Sequence, residues 1–489
     1  MDTNRNKQDM EGSTSTYTSS GINEKVQTFS LKREVGLVSA VSLIAGTMIG
    51  SGIFMSPQWV LYNIGSPGGS LVIWAACGVL AMLGSLCYAE LGTVIRESGG
   101  EYIYILRTSG PLPAFLLAFI ATFALRPASI TGISLSFAEY AVAPFYQGCY
   151  PPQLVVKSVA AACILTLAIV NCLNVRFSMS IQVIFTVAKV LALLVIVIGG
   201  VLLLFRGNTD SFHKAFEGTI VGMNPIGKAF YQGLWSYDGW NNLNYVIEEL
   251  KRPEVNLPRA MILAVPMVTV LYLLVNVSYL AAMTPRELMS SNAVAVTWGT
   301  KVLGSWAWLM SVAAALSAFG CLNGSLFSGG RVCFVTAREG HMPDILAMAH
   351  ARRLTPSPAI IFNTVIALVV LIPGDFQSIV NYTSFMGWIF NGTTLAGLLY
   401  LKIKKQNIHS TYKVPFIIPV VMLIAAVLLV LAPIVDNPQI EYLYVSLFII
   451  VGILIYIPFI HFKLFPGVFN KATVVLQLFL EVAPVDKNI

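Results

Sequence analysis

Two short stretches of this chain place flexible and polar residues inside long apolar runs, where such residues are costly and therefore informative. The first is Gly46-Thr47-Met48-Ile49-Gly50-Ser51-Gly52-Ile53-Phe54. Each glycine costs a helix about 1 kcal/mol relative to alanine, so a break is expected here. Inside a bilayer an unwound segment is tolerable only where protein or a water-filled cavity satisfies its backbone. A break would expose the N–H groups of Ser51, Gly52 and Ile53 at the start of a half-helix, whose positive dipole end suits a carboxylate. A second reading also stands, since Gly46 and Gly50 fit the Gly-x-x-x-Gly pattern of a helix-packing face.

The other stretch is Gly233-Leu234-Trp235-Ser236-Tyr237-Asp238-Gly239-Trp240-Asn241-Asn242. Here an acid, an amide pair, two glycines and two indoles interrupt an apolar run. Carbonyls freed ahead of this break suit an α-ammonium, while the amides of the first break suit a carboxylate. Together they describe the backbone of an amino acid. Two further charges lie within apolar runs, Lys189 and Arg126, the latter followed by Pro127. Lys189 is too deep to snorkel, so it can stand where a coupling Na⁺ would otherwise sit, which predicts Na⁺-independent transport. Arg126 is expected to line a cavity or bias a gate. The alternative for both is neutralisation of buried carbonyls or of a carboxylate such as Glu90.

Other chemistry-bearing residues point elsewhere or nowhere. His213, His341, His350, His409 and His461 are scattered, and with the seven cysteines they form no metal spacing. No metal and no cofactor is expected. Cys149, in the segment Tyr146 to Pro152, stands apart from the six cysteines within or at the edges of apolar runs. Outside the cell it would pair with another chain or remain a free surface thiol. Gly222 to Ala229 has phosphate-loop spacing but ends in alanine where a Mg²⁺-binding Ser or Thr is required. Sequons at Asn276, Asn323, Asn381 and Asn391 lie in or beside apolar runs, beyond the reach of glycosylation.

These residues must be positioned by helices that cross a membrane. Of 489 residues, 56% are hydrophobic and only 11% charged, and the mean hydropathy is +0.75, whereas soluble domains carry near 25% charged residues. Twelve runs long enough to cross about 30 Å of hydrocarbon fall near 36–62, 68–95, 111–143, 153–174, 178–205, 226–247, 258–283, 303–330, 357–373, 376–401, 415–435 and 441–462. The ninth is short, and Pro373-Gly374-Asp375 forms a tight turn after it. With the N-terminus inside, twenty-two Lys and Arg residues fall on the cytosolic face. Four, Arg206, Lys214, Arg286 and Lys301, fall outside. Both termini are therefore expected in the cytosol, and the net charge of +7 reflects topology rather than nucleic-acid binding.

The two breaks lie five spans apart, which points to an inverted-repeat secondary transporter. The chain divides into a disordered cytosolic tail (1–34), spans one to five as a first repeat (35–205) and spans six to ten with their loops as a second (206–413). Spans eleven and twelve (414–465) and a cytosolic C-terminal tail (466–489) follow. A membrane enzyme would need intramembrane catalytic histidines, paired acids or a nucleophile with its base. A channel would need filter repeats or rings of charge. The chain offers neither.

The motifs Gly46-Thr-Met-Ile-Gly-Ser-Gly-Ile-Phe54, Tyr88-Ala-Glu-Leu-Gly92, Ser98-Gly-Gly-Glu-Tyr102, Glu248-Glu249, Arg338-Glu-Gly-His341 and Lys413-Val-Pro415 resemble the light subunits of heteromeric amino-acid transporters. These belong to the amino acid–polyamine–organocation superfamily, and the resemblance covers roughly residues 30 to 485. It implies an all-α, twelve-helix membrane protein of the leucine-transporter-like fold, with a 5+5 inverted repeat and first and sixth helices broken. It implies Na⁺-independent exchange of amino acids at the plasma membrane, apical in epithelia for some members. A single-span glycoprotein heavy chain would be joined through Cys149. Thr47, Ser51 and Gly52, with Ile44 and Gly50 beside them, match substrate-binding positions, Trp235 a gating aromatic, Lys189 the sodium-site lysine and Asn241 an amide near the unwound segment. The sixth-span stretch, with Asp238, and Trp388 look most like the cystine and dibasic member. Asn391 stands where that member would carry an aromatic ring, which moves the expected preference toward large or aromatic neutral substrates. The competing reading is a Na⁺-coupled or uniport amino-acid or polyamine carrier acting without a heavy chain.

Overall fold

The computed structural model describes residues 35–146, 149–353, 355–404, 412–435, 440–462 and 466–484. The expected N-terminal tail, 1–34, lies outside these. Helices dominate, in the order α1 (Leu37–Met48), α2 (Gly52–Ile64), α3 (Pro67–Val94), α4 (Glu101–Ser109), α5 (Pro111–Ile120) and α6 (Arg126–Val142). Then come α7 (Gln153–Leu173), α8 (Val175–Phe205), α9 (Met223–Ser236), α10 (Pro253–Ala282), α11 (Pro285–Ser290) and α12 (Val294–Val302). The chain ends with α13 (Trp308–Arg338), α14 (Ser357–Leu371), α15 (Phe376–Ile403), α16 (Ile417–Val435), α17 (Ile440–Ile455) and α18 (Pro466–Leu480).

Among the described residues, eight helical segments are long and apolar enough to cross a membrane, or nine if α1 and α2 form one bent span. Twelve runs were expected, and the remaining three are helical but fall short of that test for separate reasons. α9 stops after fourteen residues at the Asp238 turn, and α14 has fifteen. α15 is long enough at twenty-eight residues, but Gln377, Asn381, Asn391 and several hydroxyls dilute its apolarity. Large apolar side chains on the outside, among them Ile198, Leu263, Val369, Leu428 and Leu454, form the kind of surface a soluble protein does not expose.

Local sequence explains where the elements begin. Ser66 accepts from the N–H of Gly69 at 3.2 Å and Pro67 opens α3, an N-cap followed by a proline whose missing donor is harmless there. Asp375, from the expected tight turn, caps α15 through the N–H of Ser378 at 3.2 Å. Between α5 and α6 the chain widens into a π-turn, Ala121–Leu125. The Pro127 ring clashes with the carbonyl four residues back and has no N–H to donate, so the ladder shifts and re-aims Arg126.

Two long-range contacts tie distant segments of the chain together. Glu90 on α3 accepts from Lys402 Nζ at 2.7 Å and from the N–H of Val414 at 3.0 Å. This corrects the idea that Lys189 or Arg126 neutralises Glu90. The expected C-terminal tail carries α18 and a strand, β2 (Val482–Pro484), which pairs antiparallel with β1 (Met348–His350).

Candidate functional site

The break between α1 and α2 spans Ile49 to Ser51 and bends the pair by 46°. An interrupted helix leaves carbonyls without partners, and here side chains from four other helices take them. Lys189 Nζ on α8 donates to Gly46 O at 2.8 Å, and the Cys321 thiol on α13 lies 3.7 Å from Thr47 O. Tyr272 on α10 donates to Met48 O at 2.6 Å, and Ser317 on α13 to Gly50 O at 3.1 Å. Tyr140 on α6 reaches Phe54 O at 2.6 Å. Lys189 thus neutralises a buried carbonyl, the alternative raised from sequence, and does so at the break.

The second break follows Ser236, where α9 gives way to a turn and then to a 3₁₀ stretch, Asn242–Glu249. The two breaks touch. A Cβ added at Gly52 would lie 2.5 Å from Ser236 Cα, and one at Gly239 2.8 Å from Thr47 Oγ1. Gly239 also has φ +106°, a conformation open to glycine at little cost. Tyr272 joins the two, since its hydroxyl also lies 2.9 Å from Ser236 O.

Beside this junction lies a cavity of about 130 Å³. At roughly 10–15 Å³ per water-sized position it has room for an amino acid. Arg126, Trp235, Asp238, Asn241, Trp388 and Asn391 all line it, joined by Glu101 and Tyr245. Asp238 is exposed although its neighbours from Trp235 to Asn241 are buried; its carboxylate opens onto the cavity. The Arg126 guanidinium lies over the Tyr245 ring at 4.9 Å, within electrostatic reach of both Glu101 and Asp238. Trp235 lines the cavity too, with its ring edge-to-face against Phe376, 6.1 Å between centroids.

A hydrogen-bonded network forms the polar end. Asn241 Nδ2 donates to Glu101 Oε1 at 2.6 Å, and the Tyr88 hydroxyl donates to Asn391 Oδ1 at 2.8 Å. Burial raises the Glu101 carboxyl above the usual range, and the Arg126 charge pulls it back down. Where an aromatic ring was expected, Asn391 therefore ends a polar wall.

The remaining sequence candidates lie elsewhere. Ile44, Gly50, Ser51 and Gly52 are packed at the break and are absent from the cavity wall. Thr47 lines a separate space of about 30 Å³ with Asn323 and Arg331, and Tyr245 and Asn242 are shared by both cavities. Lys189 sits behind the first break. Cys149 is exposed and holds no disulfide within the chain. Sequence reasoning missed Glu101, Tyr245 and Tyr272. Only Glu101 carried a signal, a charged residue directly after the pair Gly99-Gly100, both at positive φ.

The profile of the amino acid permease family matches residues 35–459. The b(0,+)-type amino acid transporter 1 of Homo sapiens is 48% identical over 467 residues, 95% of this chain and 96% of its own length. The cystine/glutamate transporter of Homo sapiens is 40% identical over 470 residues, 95% and 93% respectively. The large neutral amino acids transporter small subunit 2 of Rattus norvegicus is 44% identical over 399 residues, 81% and 74%. With helices that cross a membrane, two touching breaks and a charged cavity beside them, the chain belongs to the amino acid permease family and, within it, to the light subunits it resembles.

Proposed function

We propose that this protein is a Na⁺-independent amino-acid exchanger of the plasma membrane, working by alternating access around the cavity beside the two breaks. Twelve spans in a leucine-transporter-like 5+5 arrangement, with both termini in the cytosol, accommodate the interrupted helices and the charge asymmetry of the loops. Cys149 joins a single-span glycoprotein heavy chain, for which its exposure leaves it free. Thr47, Ser51 and Gly52, beside Ile44 and Gly50, take the substrate carboxylate once Ser236 withdraws from Gly52, and Trp235 gates the cavity. The observation that carries the reading is Asp238, a carboxylate exposed to an internal cavity and facing a fixed cation, Arg126.

Substrates with a distal ammonium or guanidinium fit this wall better than aromatic ones, since Tyr88 and Asn391 make the far end polar. Relatives carry names of the b(0,+), cystine/glutamate and large-neutral types, so neutral amino acids remain part of the range. Lys189 Nζ against Gly46 O supports independence from Na⁺, because a cation already occupies the carbonyl a Na⁺ ion would use.

The test is uptake of radiolabelled arginine, cystine, leucine and tyrosine into proteoliposomes, with and without Na⁺ and with the lumen empty or preloaded. Arginine uptake that requires internal amino acid and ignores Na⁺ is expected. Uptake driven by a Na⁺ gradient, or undiminished with an empty lumen, would favour the coupled or uniport carrier and sink this reading.

A further inference from the structure

The geometry points to Glu101 as a second specificity-determining carboxylate, one that engages the cationic end of the substrate from the α4 side of the cavity. The inference rests on the exchanger reading and on its orientation, which places α4 on the cytosolic face between the ends of α3 and α5.

Glu101 is the first residue of α4, where a carboxylate is favoured by the helix dipole. It is delivered there by two residues with left-handed backbone, Gly99 at φ +134° and Gly100 at φ +56°. A Cβ on Gly100 would lie 2.5 Å from the Tyr245 ring, so the turn brings α4 against the wall between the two cavities. Glu101 lines the same cavity as Asp238 and is only half-buried. One of its oxygens is held by Asn241 at 2.6 Å, an uncharged donor whose place a substrate ammonium or guanidinium can take with an ion pair.

The fixed charges facing the cavity at this end are Arg126, Asp238 and Glu101. One cation stands among two carboxylates when both are ionised, so a cationic side chain restores the balance and a neutral one does not. Asp238 lies in the turn after α9 and Glu101 at the start of α4. A substrate arriving from the cytosol meets both, whereas Asp238 is the acid nearer Trp235. The two sides of the exchanger should therefore weigh the substrate's charge differently. A merely structural Glu101, present to hold Asn241 in place, would treat charged and neutral substrates alike.

The experiment is exchange in proteoliposomes, with arginine or its uncharged isostere citrulline varied on each face in turn. For the wild type, the preference for arginine over citrulline in KM is expected to be about fivefold greater on the cytosolic face, the size of a partly screened charge pair. Equal preference on both faces overturns the inference. Glu101→Gln keeps an acceptor for Asn241 and removes the charge; it should erase that cytosolic excess, and Glu101→Asp should restore most of it. A parallel change in both substrates in Glu101→Gln marks a structural role and also overturns it. Failure of the wild type to exchange any amino acid would refute the exchanger reading itself, an outcome separate from exchange with no sidedness.

Discussion

At the scale of single residues, what matters is which polar groups the protein has already satisfied and which it leaves open. Lys189 is fully enclosed and bonded to Gly46 O. Asp238, deep in the chain's apolar stretch, is exposed to a cavity. The first is spent on structure at the break; the second faces open space in the cavity. Asp238→Asn removes the charge with little change of shape. It should raise the KM for arginine by about tenfold or more, the cost of losing a charge-assisted contact, with a much smaller effect on leucine. Competition of unlabelled arginine against labelled leucine checks this, and equal losses for both substrates would remove Asp238 from side-chain recognition. The type of these residues was readable in the sequence. Their exposure was not, because it depends on whether a neighbouring helix covers them.

At the scale of elements, the two breaks act as one device. The glycines announce the interruptions, since helix propensity is local. The partners of the freed carbonyls come from α6, α8, α10 and α13, up to 274 residues away, and no local pattern names them. Tyr272 shows this best, with one hydroxyl serving Met48 O and Ser236 O. Tyr272→Phe leaves buried carbonyls at both breaks short of a donor and should cost about 1–3 kcal/mol. A lower midpoint of thermal unfolding in detergent is expected, with slowed exchange. An unchanged midpoint would mean that other groups satisfy both carbonyls. α9, which fell short of the expected crossing length, shows a second limit. A window of hydropathy counts apolar residues through a turn that backbone geometry then inserts.

At the scale of the whole molecule, the chain presents an apolar belt outside, a charged cavity inside, and an exposed Cys149 beyond the end of α6. If that thiol joins a heavy chain, Cys149→Ser should abolish the high-mass band on a non-reducing gel of the co-expressed pair, with exchange by the reconstituted light chain retained. Persistence of the band would place the link elsewhere. The sequence by itself determined the membrane setting, the family, the position of both breaks and six of the residues around the cavity. It could do so because composition, glycine spacing and charges within apolar runs are properties of contiguous residues. Only the tertiary structure decided that the breaks touch, that Glu90 belongs to Lys402, that Asn391 serves Tyr88 and that Glu101 enters the site. Those are contacts between segments far apart in the chain, and they arise only when helices pack so that each buried polar group finds a partner.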